Sequence, residues 1–224
     1  MSPLVRQESF IDAVLFDFGG VVTTSPFEAF TRYESEVGVP PDSIRRINAS
    51  NPDNNAWAKM ERSEVSVSEF CELFEAEAAD LGLGLSGRRV LECLSGSIRP
   101  QMVRALEILR KRVRIGCITN NMKSGHGAGM SRTSEQAASI AQIMEMFEVV
   151  VESAKVGLRK PDVRIYEMAC SRLGVDPRNC AYLDDLGINC KPAAGLGMVA
   201  IKVVDPEVAL DDLEKVVGFS LRRP

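Results

Sequence analysis

Short apolar runs that stop abruptly on polar residues recur along this 224-residue chain and carry most of its fold information. Ala13-Val14-Leu15-Phe16 is followed at once by Asp17 and then by Gly19-Gly20. Residues 113–118 end in Thr119-Asn120-Asn121, residues 149–151 in Glu152-Ser153, and residues 181–183 in Asp184-Asp185. A fifth run, 198–203, closes the series at Val204-Asp205. Runs of this length read as strands buried on both faces and ended by turns.

Helical patterns lie between them. One starts near Pro100, a proline suited to the first helical position, and extends to about residue 111. A second begins at Thr133 or Ser134, where Thr133 and Gln136 have capping-box spacing, and extends to about residue 147. A third covers 161–172 and stops at Gly174; the last covers 206–217. Strands alternating with helices predict an α/β fold, a parallel sheet with helices on both faces. Ligands of such sheets bind beyond the carboxyl ends of the strands, the edge that holds Asp17, Thr119 and Asp184-Asp185.

Residues 24–97 break the alternation, since no strand-like run occurs there. Ser66 and Glu69 have capping-box spacing, and Phe70, Leu73, Phe74, Ala78 and Leu81 follow as a helical stripe. This stretch reads as a helical cap inserted after the first strand, which leaves 10–23 plus 98–224 as the core domain.

Composition narrows the field without naming a chemistry. Hydrophobic residues make up 45% and charged residues 26%, as in ordinary globular proteins. The net charge is −4 and the basic residues are scattered apart from Arg110-Lys111-Arg112 and the terminal arginines, which argues against a nucleic-acid partner. No apolar run approaches the ~20 residues of a membrane span, and no basic-then-apolar leader stands at the start. Six cysteines without CxxC spacing read as free thiols. A cytoplasmic protein is expected.

The chemistry lies at the strand ends. Asp17 sits beside two glycines that let a ligand approach the backbone, and Asp184-Asp185 end a second strand. Adjacent carboxylates repel unless a positive charge lies near them. Three on one sheet edge suggest a hard divalent cation with oxygen ligands, and Mg²⁺ usually also holds waters and substrate phosphate. Lys160, in Arg159-Lys160-Pro161, can neutralise a phosphate at a helix N-terminus. The Thr119 hydroxyl and the loop amides after it, from Asn120 on, can take another phosphate oxygen. Together these groups suggest phosphoryl transfer with a carboxylate nucleophile.

The order and spacing of four motifs resemble the haloacid dehalogenase-like superfamily. They are Asp17 in Leu15-Phe16-Asp17-Phe18-Gly19-Gly20-Val21, Thr119 after a strand, Lys160 in Val156-Gly157-Leu158-Arg159-Lys160-Pro161-Asp162, and Leu183-Asp184-Asp185-Leu186-Gly187-Ile188-Asn189. With the run from Lys191 to Met198, the chain further resembles the N-terminal phosphatase domains of soluble epoxide hydrolases and a similar module in some acyl-CoA dehydrogenase fusions. The resemblance implies a Rossmann-like core with an inserted helical cap, and a small phosphorylated metabolite as substrate. It makes Asp17 nucleophile and metal ligand, gives phosphate binding to Thr119 and Lys160, assigns Mg²⁺ mainly to Asp185, and leaves Asp184 and Asn189 as support of the metal shell.

One position departs from the pattern. Phosphatases of the superfamily usually carry a second Asp two residues after the nucleophile as general acid/base; here it is Gly19. Its carbonyl can still bind the metal. The missing acid is commonly worth ~10²–10⁴ in rate. The substrate then has a good leaving group, another residue (Glu61, His126 or Thr23) donates the proton, or turnover is slow or absent. Two rival readings follow from Gly19: a metal-free hydrolytic dehalogenase, which would leave Asp184-Asp185 without a counter-charge, and a catalytically weak module that binds a phosphorylated ligand. In the cap, Trp57 and Glu61-Arg62 either face the substrate or are a packed ring and a solvated charge pair.

Overall fold

A computed structural model of the chain describes residues 11–121 and 134–222. Five parallel strands form one sheet: β1 (Ala13–Phe16), β2 (Arg114–Thr119), β3 (Val149–Glu152), β4 (Cys180–Asp184) and β5 (Val199–Lys202). Their order is β3-β2-β1-β4-β5, so the chain builds outward from β1 to one side and then to the other. Between β1 and β2 lie α1 (Phe27–Val37), α2 (Ser43–Ala49), α3 (Ala56–Glu61), α4 (Val67–Asp80), α5 (Gly87–Glu92) and α6 (Pro100–Leu109). α7 (Ser134–Met144) precedes β3; α8 (Ser153–Val156) and α9 (Val163–Leu173) follow it; α10 (Gly187–Gly195) and α11 (Pro206–Val217) flank β5.

The two-residue period of the strands sorts their side chains. Val14, Phe16, Ile115, Cys117, Ala181 and Leu183 turn to one face, where Met102 and Leu106 of α6, Ile140 of α7 and Leu210 of α11 cover them. Leu15, Ile118, Val151 and Tyr182 turn to the other, against Ile165, Tyr166 and Ala169 of α9 and Ala193 of α10. Each fully buried large side chain contributes about 1.5–3 kcal/mol. All four residues of β1 are buried, so the strand whose end carries Asp17 lies inside the core.

The expected strands and helices are present with shifted ends. α9 begins at Val163 rather than 161 because the Asp162 carboxylate caps it, accepting from Arg164 N at 3.0 Å. α7 ends at Met144 rather than 147; Thr133, its expected cap, lies outside the described residues. α10 had no sequence signal, since Pro192 interrupts it and no apolar stripe runs along it.

Residues 24–97 contain five helices and no strand. Their own cluster gathers Phe30, Tyr33, Ile44, Ile47, Trp57, Met60, Phe70 and Phe74. The Ser66–Glu69 capping box forms: Ser66 Oγ accepts Glu69 N at 3.3 Å and the Glu69 carboxylate accepts Ser66 N at 2.7 Å. Phe70, Phe74 and Ala78 are buried as expected, but Leu81, just past the last turn of α4, is 44% exposed and does not belong to the stripe. The chain leaves and re-enters the sheet at adjacent points, where Thr23 pairs with Ile98 and Thr24 N donates to Ser97 O at 2.8 Å. Among the described residues no helix is long and apolar enough to cross a membrane.

Candidate active site

β1 lies between β2 and β4, where the strand order reverses, and this is where a ligand crevice opens in such sheets. Asp17 follows β1 directly. Its N–H donates to Leu183 O at 2.8 Å, extending the ladder to β4, and its Oδ1 accepts Phe18 N at 2.7 Å. The turn beyond needs a glycine at position 20: φ is +78°, and a Cβ there would stand 2.1 Å from Asp185 Oδ2. At Gly19, by contrast, a Cβ would have nothing within 4 Å.

Lys160 is 1% exposed and joins two strand ends, its Nζ lying 2.8 Å from Asp17 Oδ1 and 2.8 Å from Asp184 Oδ2. Asp184 is fully enclosed. Its Oδ1 accepts Leu186 N at 2.8 Å and Asn189 Nδ2 at 3.1 Å; its Oδ2 accepts Lys160, Asn189 and the Tyr182 hydroxyl. Asp185 is bound more sparingly, accepting from Ser25 Oγ at 2.9 Å. Oxygens of Asp17, Asp184 and Asp185 all lie within 4.8 Å of one another.

Three carboxylates and one ammonium, all ionised, leave two negative charges in this cluster, of which only Asp185 is half-exposed rather than buried. Burial pushes the Asp17 carboxyl well above the usual carboxylate range; Lys160 opposes this, while Asp184 and Asp185 add to it. Asp185 is raised by burial first and by Asp184 second. Burial alone would lower the Lys160 ammonium, but Asp17 and Asp184 outweigh it and hold the group protonated. The donor set is all oxygen and short of two positive charges, which fits a hard divalent cation.

Thr119, the buried last residue of β2, and Asn120 stand at the same edge. The Asn120 side chain brackets the Lys160 peptide: Oδ1 accepts Lys160 N at 2.9 Å, and Nδ2 donates to Lys160 O and to Glu61 Oε2, both at 3.1 Å. Asn121 ties β2 to β3 through Ser153 and Glu152. The structure therefore gathers Asp17, Gly19, Thr119, Asn120, Lys160, Asp184, Asp185 and Asn189 at one edge. Lys160 stands three residues before α9, whose first turn is capped by the Asp162 carboxylate accepting Arg164 N at 3.0 Å.

Of the other sequence candidates, Trp57 packs in the helical cluster, 5.0 Å from the Phe70 ring. Glu61 does reach the sheet edge, and Arg62 pairs with Glu64. The Thr23 hydroxyl is turned to Phe18 O at 3.5 Å. His126 lies outside the described residues. Sequence reasoning missed Tyr182, Ser25 and Arg99, whose guanidinium donates to Gly20 O at 2.8 Å. Tyr182 was findable, because residues two apart on a strand share a face and it precedes Asp184 by two. Nothing local marked Ser25 or Arg99, which arrive from segments distant along the chain.

Comparison with known proteins gives the chain's family and fold. Residues 11–197 match the family model of haloacid dehalogenase-like hydrolases. Acyl-CoA dehydrogenase family member 10 of Mus musculus is 32% identical over 215 residues, covering 93% of this chain and 19% of that protein. Bifunctional epoxide hydrolase 2 of Sus scrofa is 29% identical over 221 residues, covering 93% of this chain and 39% of that protein. The chain thus spans well under half of either relative. Phosphatase MT3486 of Mycobacterium tuberculosis (strain CDC 1551 / Oshkosh) is 29% identical over 207 residues, covering 86% of this chain and 87% of that protein. Among solved structures, a predicted HAD-like family hydrolase from Porphyromonas gingivalis superposes with a TM-score of 0.65 at 20% identity, over 93% of this chain and 98% of that one. That likeness speaks for the fold; the family match, over most of the chain, speaks for more. The chain belongs to the haloacid dehalogenase-like hydrolases.

Proposed function

We propose that this protein is a Mg²⁺-dependent phosphomonoester hydrolase that acts on a small phosphorylated metabolite through a phospho-aspartate on Asp17. The observation that carries the reading is the cluster of buried Asp17 and Asp184, bridged by the Lys160 ammonium, with half-buried Asp185 beside them; these four groups are two positive charges short of neutrality. Asp17, Asp185 and the Gly19 carbonyl would hold the cation, and the bound ion would supply charge neutralisation for an incoming phosphate. Asp184 has both oxygens committed to Lys160, Tyr182, Leu186 and Asn189, which suits it to hold Lys160 rather than to bind the ion itself.

Asp17 then attacks phosphorus with one carboxylate oxygen and the ester oxygen leaves. Lys160 and Thr119 stabilise the charge on the non-bridging oxygens, and water releases phosphate from the acyl phosphate. The five helices of residues 24–97 act as a cap over the edge, with 10–23 and 98–224 as the core; the adjacent crossings at Thr23 and Ile98 support that division. A dehalogenase would use the same nucleophile without a metal, and would leave Asp185 as a half-buried third carboxylate with no direct ion-pair partner among the described residues. Phosphatase MT3486, a relative matched over most of both chains, also favours phosphoryl chemistry.

The test is hydrolysis of para-nitrophenyl phosphate and a panel of phosphorylated metabolites with Mg²⁺, by the natural protein and by Asp17→Asn. The amide keeps the shape but is a poor nucleophile, so turnover should fall on the order of 10⁴-fold or more with the fold intact. Normal turnover by the variant, or full activity in excess chelator, would overturn the mechanism.

A further inference from the structure

Glu61 ends α3, and its carboxylate leaves the helical segment to meet two residues of the sheet edge. One oxygen, Oε2, accepts Arg159 Nε at 2.5 Å and Asn120 Nδ2 at 3.1 Å. These are the neighbours, in sequence, of the two residues assigned to phosphate: Asn120 follows Thr119 and Arg159 precedes Lys160. Asn120 in turn grips both sides of the Lys160 peptide, and the Lys160 side chain ends 2.8 Å from Asp17. Arg159 is held from the same helical segment a second time, its NH1 donating to Pro52 O at 2.9 Å. A continuous path of contacts therefore runs from Glu61 through Asn120 to the ammonium beside the nucleophile.

We propose that Glu61 is a positioning residue: the helical segment uses its carboxylate to fix Asn120 and Arg159, and through them the placement of Lys160 against Asp17. The proposal rests on the reading of Lys160 as the cation that meets phosphate. It also removes Glu61 from the candidates for leaving-group acid, since Glu61 is the acceptor in both contacts and its Oε2 faces two N–H donors. The two partners are only one-fifth exposed or less, but an ion pair that reaches solvent adds little stability by itself. Its consequence is geometric, because a small misplacement of a reacting group can cost on the order of 100-fold in rate.

The experiment compares Glu61→Ala, Glu61→Gln and, as a control on the same surface, Glu64→Ala. The first readout is hydrogen exchange of the Lys160 backbone amide, the proton that Asn120 Oδ1 accepts, followed by NMR. Glu61→Ala should speed that exchange about tenfold or more, while Glu61→Gln, which still offers Asn120 an acceptor, and Glu64→Ala should leave it near the natural rate. The second readout is kcat/KM, which in Glu61→Ala should fall about ten- to a hundredfold, by the same factor for aryl and alkyl phosphates, with Glu61→Gln recovering most of it. Unchanged Lys160 exchange in Glu61→Ala would overturn the proposal. So would a loss confined to alkyl phosphates, which is the signature of a proton donor. If the natural protein hydrolyses no phosphate ester while Glu61→Ala still frees the Lys160 amide, the phosphatase reading fails and the positioning role stands.

Discussion

Asp17 has two unlike flanks. Toward Lys160 and Asp184 every polar atom is engaged: one ammonium bridges two carboxylates, and Asp184 collects a backbone N–H, an amide and a phenol. Toward Gly19 the space is open, with nothing within 4 Å of where a side chain would begin. The first flank handles charge and is built into the packing of β1, β4 and the loop before α9. The second is where the superfamily usually places its proton donor, and this chain has left it bare. On the proposed phosphatase mechanism, charge stabilisation is built into the fold, whereas proton delivery is not. Taking an atom from the first flank leaves buried orphans; adding one to the second meets no obstacle.

The largest effect should come from the crowded flank. Asp184→Ala strands the Lys160 ammonium on one partner and leaves the Tyr182 hydroxyl and the Asn189 amide without theirs. Breaking a buried pair in this way costs about 3–5 kcal/mol, readable as a shift in the urea or thermal unfolding midpoint. Asp185→Ala removes a carboxylate whose one side-chain partner among the described residues is the Ser25 hydroxyl, and it relieves repulsion from Asp184. Its stability in chelator should equal or exceed that of the natural protein, while Mg²⁺-dependent turnover is lost. Equal destabilisation by the two variants would erase the distinction drawn between a carboxylate that holds Lys160 and one kept for the cation.

The open flank gives the next effect. An aryl phosphate leaves as a stabilised phenolate, but a simple alkyl phosphate leaves as a basic alkoxide that needs a proton. With Gly19 in place of the acid, kcat/KM for aryl or anomeric phosphates should exceed that for alkyl phosphates by on the order of 10²-fold. Gly19→Asp should narrow the gap by accelerating the poor leaving groups, and the backbone and the empty space at this position admit the substitution. A series of monoesters of graded leaving-group pKa, run on both proteins, measures this. A flat dependence in the natural protein would mean that another group already fills the donor's role.

These two flanks also differ in how far they could be read from residues alone. The strand ends were legible because an apolar run that stops on a carboxylate is a local signal, and a parallel sheet collects such ends on one edge. Asp17, Thr119, Asp184 and Asp185 came from strand ends in that way, and Lys160 from its place beside Pro161 ahead of a helix. Tyr182 follows from strand period once Asp184 is suspected. Ser25, Arg99 and the Glu61–Asn120 contact do not, because each joins segments whose separation is set by the packing of residues 24–97. Within that stretch only α4 announced itself, through its capping box; α2 and α3, with seven and six residues, are too short for a helical period to show. The surroundings of Trp57 are set the same way, by aromatic neighbours from α1 and α4.

The smallest expected effect tests the charge imbalance itself. Asp17 and Asp185 both have carboxyl groups raised above their ordinary range in the metal-free fold, in each case chiefly by burial. A raised acid binds its proton more tightly folded than unfolded, so its contribution to stability is complete below the unfolded carboxylate value of about 4. That contribution is lost as pH rises through the folded values. In chelator, the unfolding free energy should therefore decline as pH rises from about 4 toward neutrality, by at most ~1.4 kcal/mol per pH unit for each group. Lys160 offsets part of this, since it favours the ionised form of Asp17. A divalent cation favours the ionised forms of both acids, so with Mg²⁺ the decline should flatten, and the stabilisation by Mg²⁺ should grow with pH. Asp185→Asn removes one of the two raised acids and should shrink both the slope in chelator and the response to Mg²⁺. Thermal unfolding of the two proteins, with and without Mg²⁺ across that range, decides the matter. A Mg²⁺ effect that is absent, or that weakens as pH rises, would mean that the two missing charges are not supplied by a cation at this edge.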